Sequence, residues 1–240
     1  MFQTLDRRGV DLFFGVGLPV VGQRYCTTTH LERTSGWILV YRTLDNAIYI
    51  RADDRDRENL TRVASYYANL GIPFDPEAGI DPFRVIQARP DWAAAHGMIP
   101  PDHDQTVAAS QSTDRNVQLR DLDQLGSTYA LLGAYPELIE VETEAQGLGQ
   151  RGKLSQRRLI YGLIRLDRVE EAVDAAKVLL NLDPQDAHPK AFVSAANRRA
   201  STATDSIQDQ VTPDRAEPSF IETPPLFTRE EFIRCCADYP

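Results

Sequence analysis

The sequence predicts an α+β protein, in which a small mixed α/β unit of about three strands precedes an α-helical repeat array. Three observations indicate this class. Residues 37–42 and 47–51 are rich in branched and aromatic side chains, as strands are. Apolar residues in the second half recur with helical spacing. That half also matches itself at an offset of about 34 residues, which is typical of stacked helical units.

The composition is that of an ordinary globular protein. The 240 residues are 42% hydrophobic and 25% charged, with a net charge of −9. Nucleic acids and anionic membranes attract basic surfaces, so we expect neither as a partner. No apolar stretch reaches the ~20 residues of a spanning helix, and segment 10–22 lacks the flanks of a signal peptide. We therefore expect a soluble, cytoplasmic protein without direct membrane insertion.

Residues 1–104 are predicted to form the small α/β unit with flanking helices. The strand candidates are VDLFFGVG, WILVYR and AIYIR, of which the last two form a hairpin around Asp45 and Asn46. Residues 55–71 have apolar side chains at helical spacing and end at Gly71. Segment 82–97 predicts one or two short helices, broken before Pro90. Residues 98–116 are polar and predict an exposed connection.

Residues 116–200 contain the repeat. Segment 124–146 aligns with segment 158–184, so that Leu125 lies opposite Leu159 and Ala145 opposite Leu179. Two helices per unit and a period of about 34 residues resemble tetratricopeptide (TPR) repeats. Pro184 stands where that repeat commonly stops its second helix, whereas Leu138 departs from the alanine that the motif favours. Residues 188–200 predict a single further helix that caps the array.

The C-terminal residues divide into a linker and a short helix. Residues 201–226 are polar, contain several prolines and lack periodicity, so we predict a disordered linker. Residues 227–240 predict a short C-terminal helix, because Thr228 and Glu231 form a capping-box pattern. This helix is expected either to dock on the repeats or to bind a partner.

Candidate reactive residues all favour a structural interpretation. His103 has acidic neighbours but no second ligand cluster, so we predict no metal. The charge run 51–59, which includes Asp53, is interpreted as acidic and basic side chains that neutralise one another at a helix start. The adjacent Arg157 and Arg158 are interpreted as a solvated helix face. We predict no enzymatic activity, no catalytic residue and no cofactor. An enzyme built around Cys26 and His30 is a further alternative.

The N-terminal part resembles a known membrane-protein segment. Gly9-Val10-Asp11, Gly36-Trp37, Leu39-Val40-Tyr41 and residues 47–51 are similar to the soluble region that follows the membrane bundle in bacterial GT-C-type glycosyltransferases. The resemblance spans residues 5–51 and implies a soluble accessory domain or tail outside the cytoplasmic membrane. The bundle that carries transfer chemistry in that family is absent here, so the resemblance implies no catalytic residue.

The sequence as a whole favours a non-catalytic protein-interaction or scaffold module. A short groove in the TPR-like array would hold a protein or peptide that is not itself acidic. The first helix of each unit would line this groove, which gives six predicted partner-binding residues: Gln124, Thr128, Tyr129, Arg158, Tyr161 and Arg165. The alternative function is a soluble accessory domain of a bacterial membrane glycosyltransferase-type protein. The sequence leaves the oligomeric state open.

Overall fold

The computed structural model describes residues 7–17, 27–32, 34–150 and 152–186, together with Leu5 and several positions between 189 and 196. Within these residues, three strands precede eight helices, which confirms the predicted α+β class. The strands are β1 (Leu12–Val16), β2 (Trp37–Arg42) and β3 (Asn46–Arg51). The helices are α1 (Arg57–Leu70), α2 (Pro82–Ala88), α3 (Pro90–Ala95), α4 (His103–Ala109), α5 (Arg115–Leu132), α6 (Tyr135–Gly147), α7 (Lys153–Arg165) and α8 (Val169–Leu182). None of these helices combines the length and the apolar character that a membrane span requires.

The sheet is antiparallel, with strand order β1-β3-β2. The predicted hairpin is confirmed as β2 and β3. Its turn is stabilised by the Asn46 backbone N–H, which donates to Thr43 Oγ1 at 3.0 Å. Side chains alternate across a strand, so both faces of the sheet are available for packing. One face packs on α1 through residues such as Ile50 and Leu60. The opposite face packs on Leu31 through Tyr49.

Short helices follow the sheet where proline and aspartate favour them. Asp81 caps α2, since its Oδ1 accepts from the Phe83 backbone N–H at 3.0 Å. The predicted break before Pro90 is confirmed, because α3 begins at that proline. The prediction that residues 98–116 form an exposed connection was wrong. Helix α4 lies in this segment, and it buries His103 and Thr106 against the rest of the chain.

Helices α5 to α8 form two consecutive packed pairs. Helix α5 ends at Gly133, whose φ of 78° is readily available to glycine. Helix α6 then begins at Tyr135 and α8 at Val169, which is the offset that the sequence alignment predicts. Helix α5 packs on α6, α7 packs on α8, and α7 also contacts both helices of the first pair. The assignment of these pairs to TPR repeats stays a prediction.

The sheet unit and the helical pairs pack against each other. Leu132 of α5 belongs to the same buried cluster as Trp92 of α3. Phe83 of α2 meets Tyr129 of α5 in an edge-to-face contact, with ring centroids 5.6 Å apart. Phe192 is buried against α8, in the segment for which a further helix was predicted. The predicted linker 201–226 and the predicted helix 227–240 lie outside the described residues.

Candidate functional site

An open cleft lies beside the N-terminal end of α7. Its volume is about 510 Å³. Helix α5 contributes Leu119, Arg120 and Asp123, the α6–α7 connection contributes Gln150 and Gly152, and α7 contributes Lys153, Leu154 and Ser155. The cleft therefore lies between the first helices of the two predicted units, and it combines apolar, basic and acidic side chains.

The rim of the cleft carries basic side chains that are already paired. Lys153 is 49% exposed, and its Nζ lies 2.7 Å from an Asp183 carboxylate oxygen. Arg120 is exposed and pairs with its neighbour Asp121 at 2.9 Å. Gly152, which caps α7, has no side chain to accept hydrogen bonds from the first N–H groups of that helix. The rim thus presents hydrogen-bond donors without a large net charge.

An ionic cluster, buried except at Asp123 and Ser127, forms the floor of the cleft, and we call it the floor cluster. Its members are Asp123 and Ser127 of α5, Glu142 of α6, and Ser155 and Arg158 of α7. Arg158 pairs through Nε with Glu142 and through Nη2 with Asp123, the second pair at 2.5 Å. Ser155 Oγ donates to the other Glu142 oxygen at 2.5 Å. Arg158 and Glu142 are each 1% exposed. The floor cluster therefore joins three helices through charged groups in the interior.

Helix α5 has a glycine where the floor cluster approaches it most closely. A Cβ atom at Gly126 would overlap the Glu142 carboxylate and would crowd the Arg158 guanidinium. Burial opposes the charge on Arg158, but the carboxylates of Glu142 and Asp123 outweigh it and raise the pKa of Arg158. Arg158 is thus held as a cation, and glycine at position 126 leaves room for its partner.

The structure gives the six predicted partner-binding residues different environments. Thr128, Tyr129 and Tyr161 are buried among the chain's own side chains. The interpretation of Arg157 and Arg158 as a solvated helix face was wrong, because Arg158 is buried in the floor cluster and the Arg157 side chain is only 12% exposed. Gln124 and Arg165 are half-buried. None of the six lines the cleft, although Gln124 follows Asp123 directly in the chain. Their role in partner binding stays a prediction.

A second ionic cluster joins the sheet unit to the helical pairs, and we call it the junction cluster. Glu32 accepts from Arg42 Nη1 of β2 at 2.7 Å and from the Tyr135 hydroxyl of α6 at 2.6 Å. Arg165 of α7 also pairs with Glu32. Arg42 is fully buried and donates through Nη2 to the Leu131 carbonyl at 2.7 Å. Sequence reasoning missed this cluster, because its members are far apart in the chain.

The charges in the junction cluster stabilise one another. Burial alone would raise the pKa of Glu32, but Arg42 and Arg165 outweigh it, so the pKa of Glu32 lies below its usual value. A buried carboxylate with two guanidinium partners remains ionised at neutral pH. The junction cluster therefore contributes to stability as an ion network and offers no group that exchanges protons near pH 7.

The remaining reactive candidates are placed only in part. Cys26 lies outside the described residues, and His30 is half-buried. His103 is buried against Tyr129, with ring centroids 6.2 Å apart. Burial lowers the pKa of His103, so its ring is neutral at pH 7. The burial of His103 against Tyr129 is typical of a side chain that contributes to packing.

Comparison of the chain with known protein families, curated proteins and solved structures found no match in any of the three. The resemblances to TPR repeats and to GT-C-type proteins therefore stay predictions.

Proposed function

We propose that the protein is a non-catalytic interaction module, and that the cleft beside α7 binds a peptide segment of a partner protein. The observation that carries this proposal is the position of the cleft between α5 and α7. These are the first helices of the two predicted units, which line the binding groove in the architecture that the sequence predicts. A peptide occupying the cleft would contact both units at once.

The floor cluster supports the proposal because its ion pairs connect three helices at the base of the cleft. Arg158 connects α5 and α6 through its two carboxylate partners, while the buried Ser155 at the start of α7 donates to Glu142. A binding surface that is ordered before the ligand arrives loses less conformational entropy on association. The floor cluster therefore positions the cleft walls, and the side chains above it contact the peptide.

The lining indicates the chemistry of the peptide. Leu119 and Leu154 offer apolar contact, and Arg120, Lys153 and the first N–H groups of α7 offer hydrogen-bond donors. An extended peptide fits these groups if one apolar side chain contacts the leucines and the adjacent residue offers carbonyl or carboxylate oxygens to the donors. Such a partner can carry a carboxylate, which differs from the non-acidic partner that the net charge predicts, because the rim offers hydrogen-bond donors even though its basic side chains are paired with aspartates.

The test is peptide selection from a random display library, followed by calorimetry on the enriched sequences. We expect an enriched peptide to bind the wild-type chain and to lose about tenfold or more in affinity to Lys153→Glu. The matched control is Lys177→Glu on α8. Lys177 is also an exposed lysine, and it pairs with Asp174 at 2.8 Å. Equal affinities for the two variants, or no enriched peptide at all, would overturn the proposal.

A further inference from the structure

Three aspartates converge at one end of the sheet, on elements that contribute nothing to the cleft. Asp11 precedes β1, Asp53 follows β3, and Asp56 stands at the N-cap of α1. The antiparallel pairing of β1 with β3 brings Asp11 beside the start of α1, since Leu12 lies opposite Ile50. One carboxylate oxygen from each aspartate lies within 4.8 Å of the other two. Three like charges at this separation repel one another unless cations balance them.

Asp56 has a carboxylate oxygen without a hydrogen-bond partner. Asp56 is only 5% exposed. An aspartate at an N-cap ordinarily accepts from the first N–H groups of the helix, but the Asp56 side chain makes no such bond. Its Oδ1 accepts from Asn59 Nδ2 at 2.9 Å, whereas its Oδ2 is buried and has no partner among the described residues. A buried carboxylate oxygen in this state is costly unless a hydrogen-bond donor or a cation satisfies it, and no donor satisfies it among the described residues.

The local charges balance only in part. Arg55 Nη2 lies 3.0 Å from Asp11 Oδ1 and 2.9 Å from Asp53 Oδ2. The structure shows no ion pair to Asp56 in the described part of the chain. Arg55 thus pairs with two of the three carboxylates. Arg55 is itself 61% exposed, so its side chain can move into solvent when another cation enters.

We propose that Asp11, Asp53 and Asp56 bind a hard divalent cation, Ca²⁺ or Mg²⁺. The three ligands are carboxylates, which suit these cations and not metals that prefer sulfur or imidazole. Water completes the coordination on the exposed side, because Asp11 and Asp53 are half-exposed. Asp56 supplies the buried ligand that distinguishes this group from ordinary surface acids. The bound cation ties the start of β1 to the start of α1 and replaces Arg55 as the balancing charge.

Calorimetric titration of the chelator-treated full chain with CaCl₂ and, separately, with MgCl₂ tests the proposal. We expect saturable binding of one cation per chain for at least one of the two salts. Asp53→Asn and Asp56→Asn should each weaken this binding by about tenfold or more. Arg55→Gln should strengthen it, because the competing guanidinium is gone. Tighter binding of Ca²⁺ or of Mg²⁺ identifies which of the two cations the site prefers.

Asp54→Asn is the matched control, because Asp54 lies in the same loop outside the group of three. Its side chain is 89% exposed and pairs with Arg57 at 2.5 Å. We expect Asp54→Asn to bind the cation as tightly as the wild-type chain. If Asp56→Asn fails to fold, Asp11→Asn and Asp53→Asn carry the same expectation on the exposed side. The proposal is overturned by an absence of saturable binding at millimolar cation, or by an equal loss in Asp54→Asn and Asp53→Asn.

Discussion

Replacing Arg158 by methionine tests how strongly the floor cluster stabilises the protein. Methionine keeps much of the unbranched apolar stem of arginine but removes the guanidinium that pairs with Glu142 and Asp123. In the variant, the Glu142 carboxylate stays buried and keeps only the hydrogen bond that Ser155 donates. The perturbation therefore leaves one half of an interior ion pair without its partner.

The expected loss follows from the burial of the two partners. Breaking a buried ion pair by removing one member costs about 3–5 kcal/mol. Burial already raises the pKa of Glu142, so without Arg158 its carboxylate stays uncompensated or has to take up a proton. Asp123 is 43% exposed, so the loss of its pair with Arg158 adds only about 0–1 kcal/mol. The free energy of unfolding of a natural domain is about 5–15 kcal/mol. We therefore expect Arg158→Met to fold and to lose a large share of its free energy of unfolding.

Urea unfolding at pH 7, followed by circular dichroism, measures this loss for Arg158→Met, Glu142→Gln and the double variant. A neutral glutamine costs less to bury than a carboxylate. The double variant should therefore lose less free energy of unfolding than the two single variants lose together, by about 1 kcal/mol or more. Lys177→Met replaces an exposed lysine and should leave the midpoint unchanged. A loss below about 1 kcal/mol for Arg158→Met, or strict additivity, would refute the reasoning.

Three further perturbations test the clusters. Gly126→Ala places a methyl group against the floor cluster and should cost about 1–3 kcal/mol in urea unfolding, although alanine favours helices. The control Gly147→Ala, whose methyl group meets open space, should be neutral or stabilising. A larger loss of stability in Gly147→Ala than in Gly126→Ala would contradict the packing around Gly126. Because its folded-state pKa is lowered, ionised Glu32 stabilises the fold above about pH 4.3, and this stabilisation is lost as pH falls through the folded-state pKa. The unfolding free energy of Glu32→Gln should be lower at pH 7 and should fall less on acidification, so parallel profiles would disprove this role. Tyr135→Phe removes one hydrogen bond to Glu32 and should cost about 1–3 kcal/mol in thermal unfolding; an unchanged midpoint would argue against that bond.

The sequence alone determined the elements whose signals are local. The hairpin around residues 43–46 follows from turn-forming residues between two strand patterns. Helix α1 ends at Gly71, which has the positive φ that glycine tolerates, and the break between α2 and α3 follows from Pro90. The offset between the starts of α6 and α8 follows from the sequence repeat, whose two aligned segments are adjacent in the chain. In each case a short stretch of chain contains the physical cause.

Helix α4 shows why local patterns are incomplete. Its buried side chains include His103 and Thr106, and Ser110 follows it directly on the same buried side. These residues are polar, so their spacing leaves no apolar stripe in the sequence. Only packing against α5 reveals that the segment has an inner face, and this is why the sequence predicted an exposed connection.

The tertiary structure alone decided which charged residues are internal. Arg158 resembles any solvated helical arginine in the sequence, yet α5 and α6 bring Asp123 and Glu142 to it. Glu32 meets Arg42 and Arg165 in the same way, across the boundary between the sheet unit and the helices. A charge can be buried only where opposite charges from distant segments meet it. That condition depends on the assembled chain, so composition and periodicity contain no signal for it.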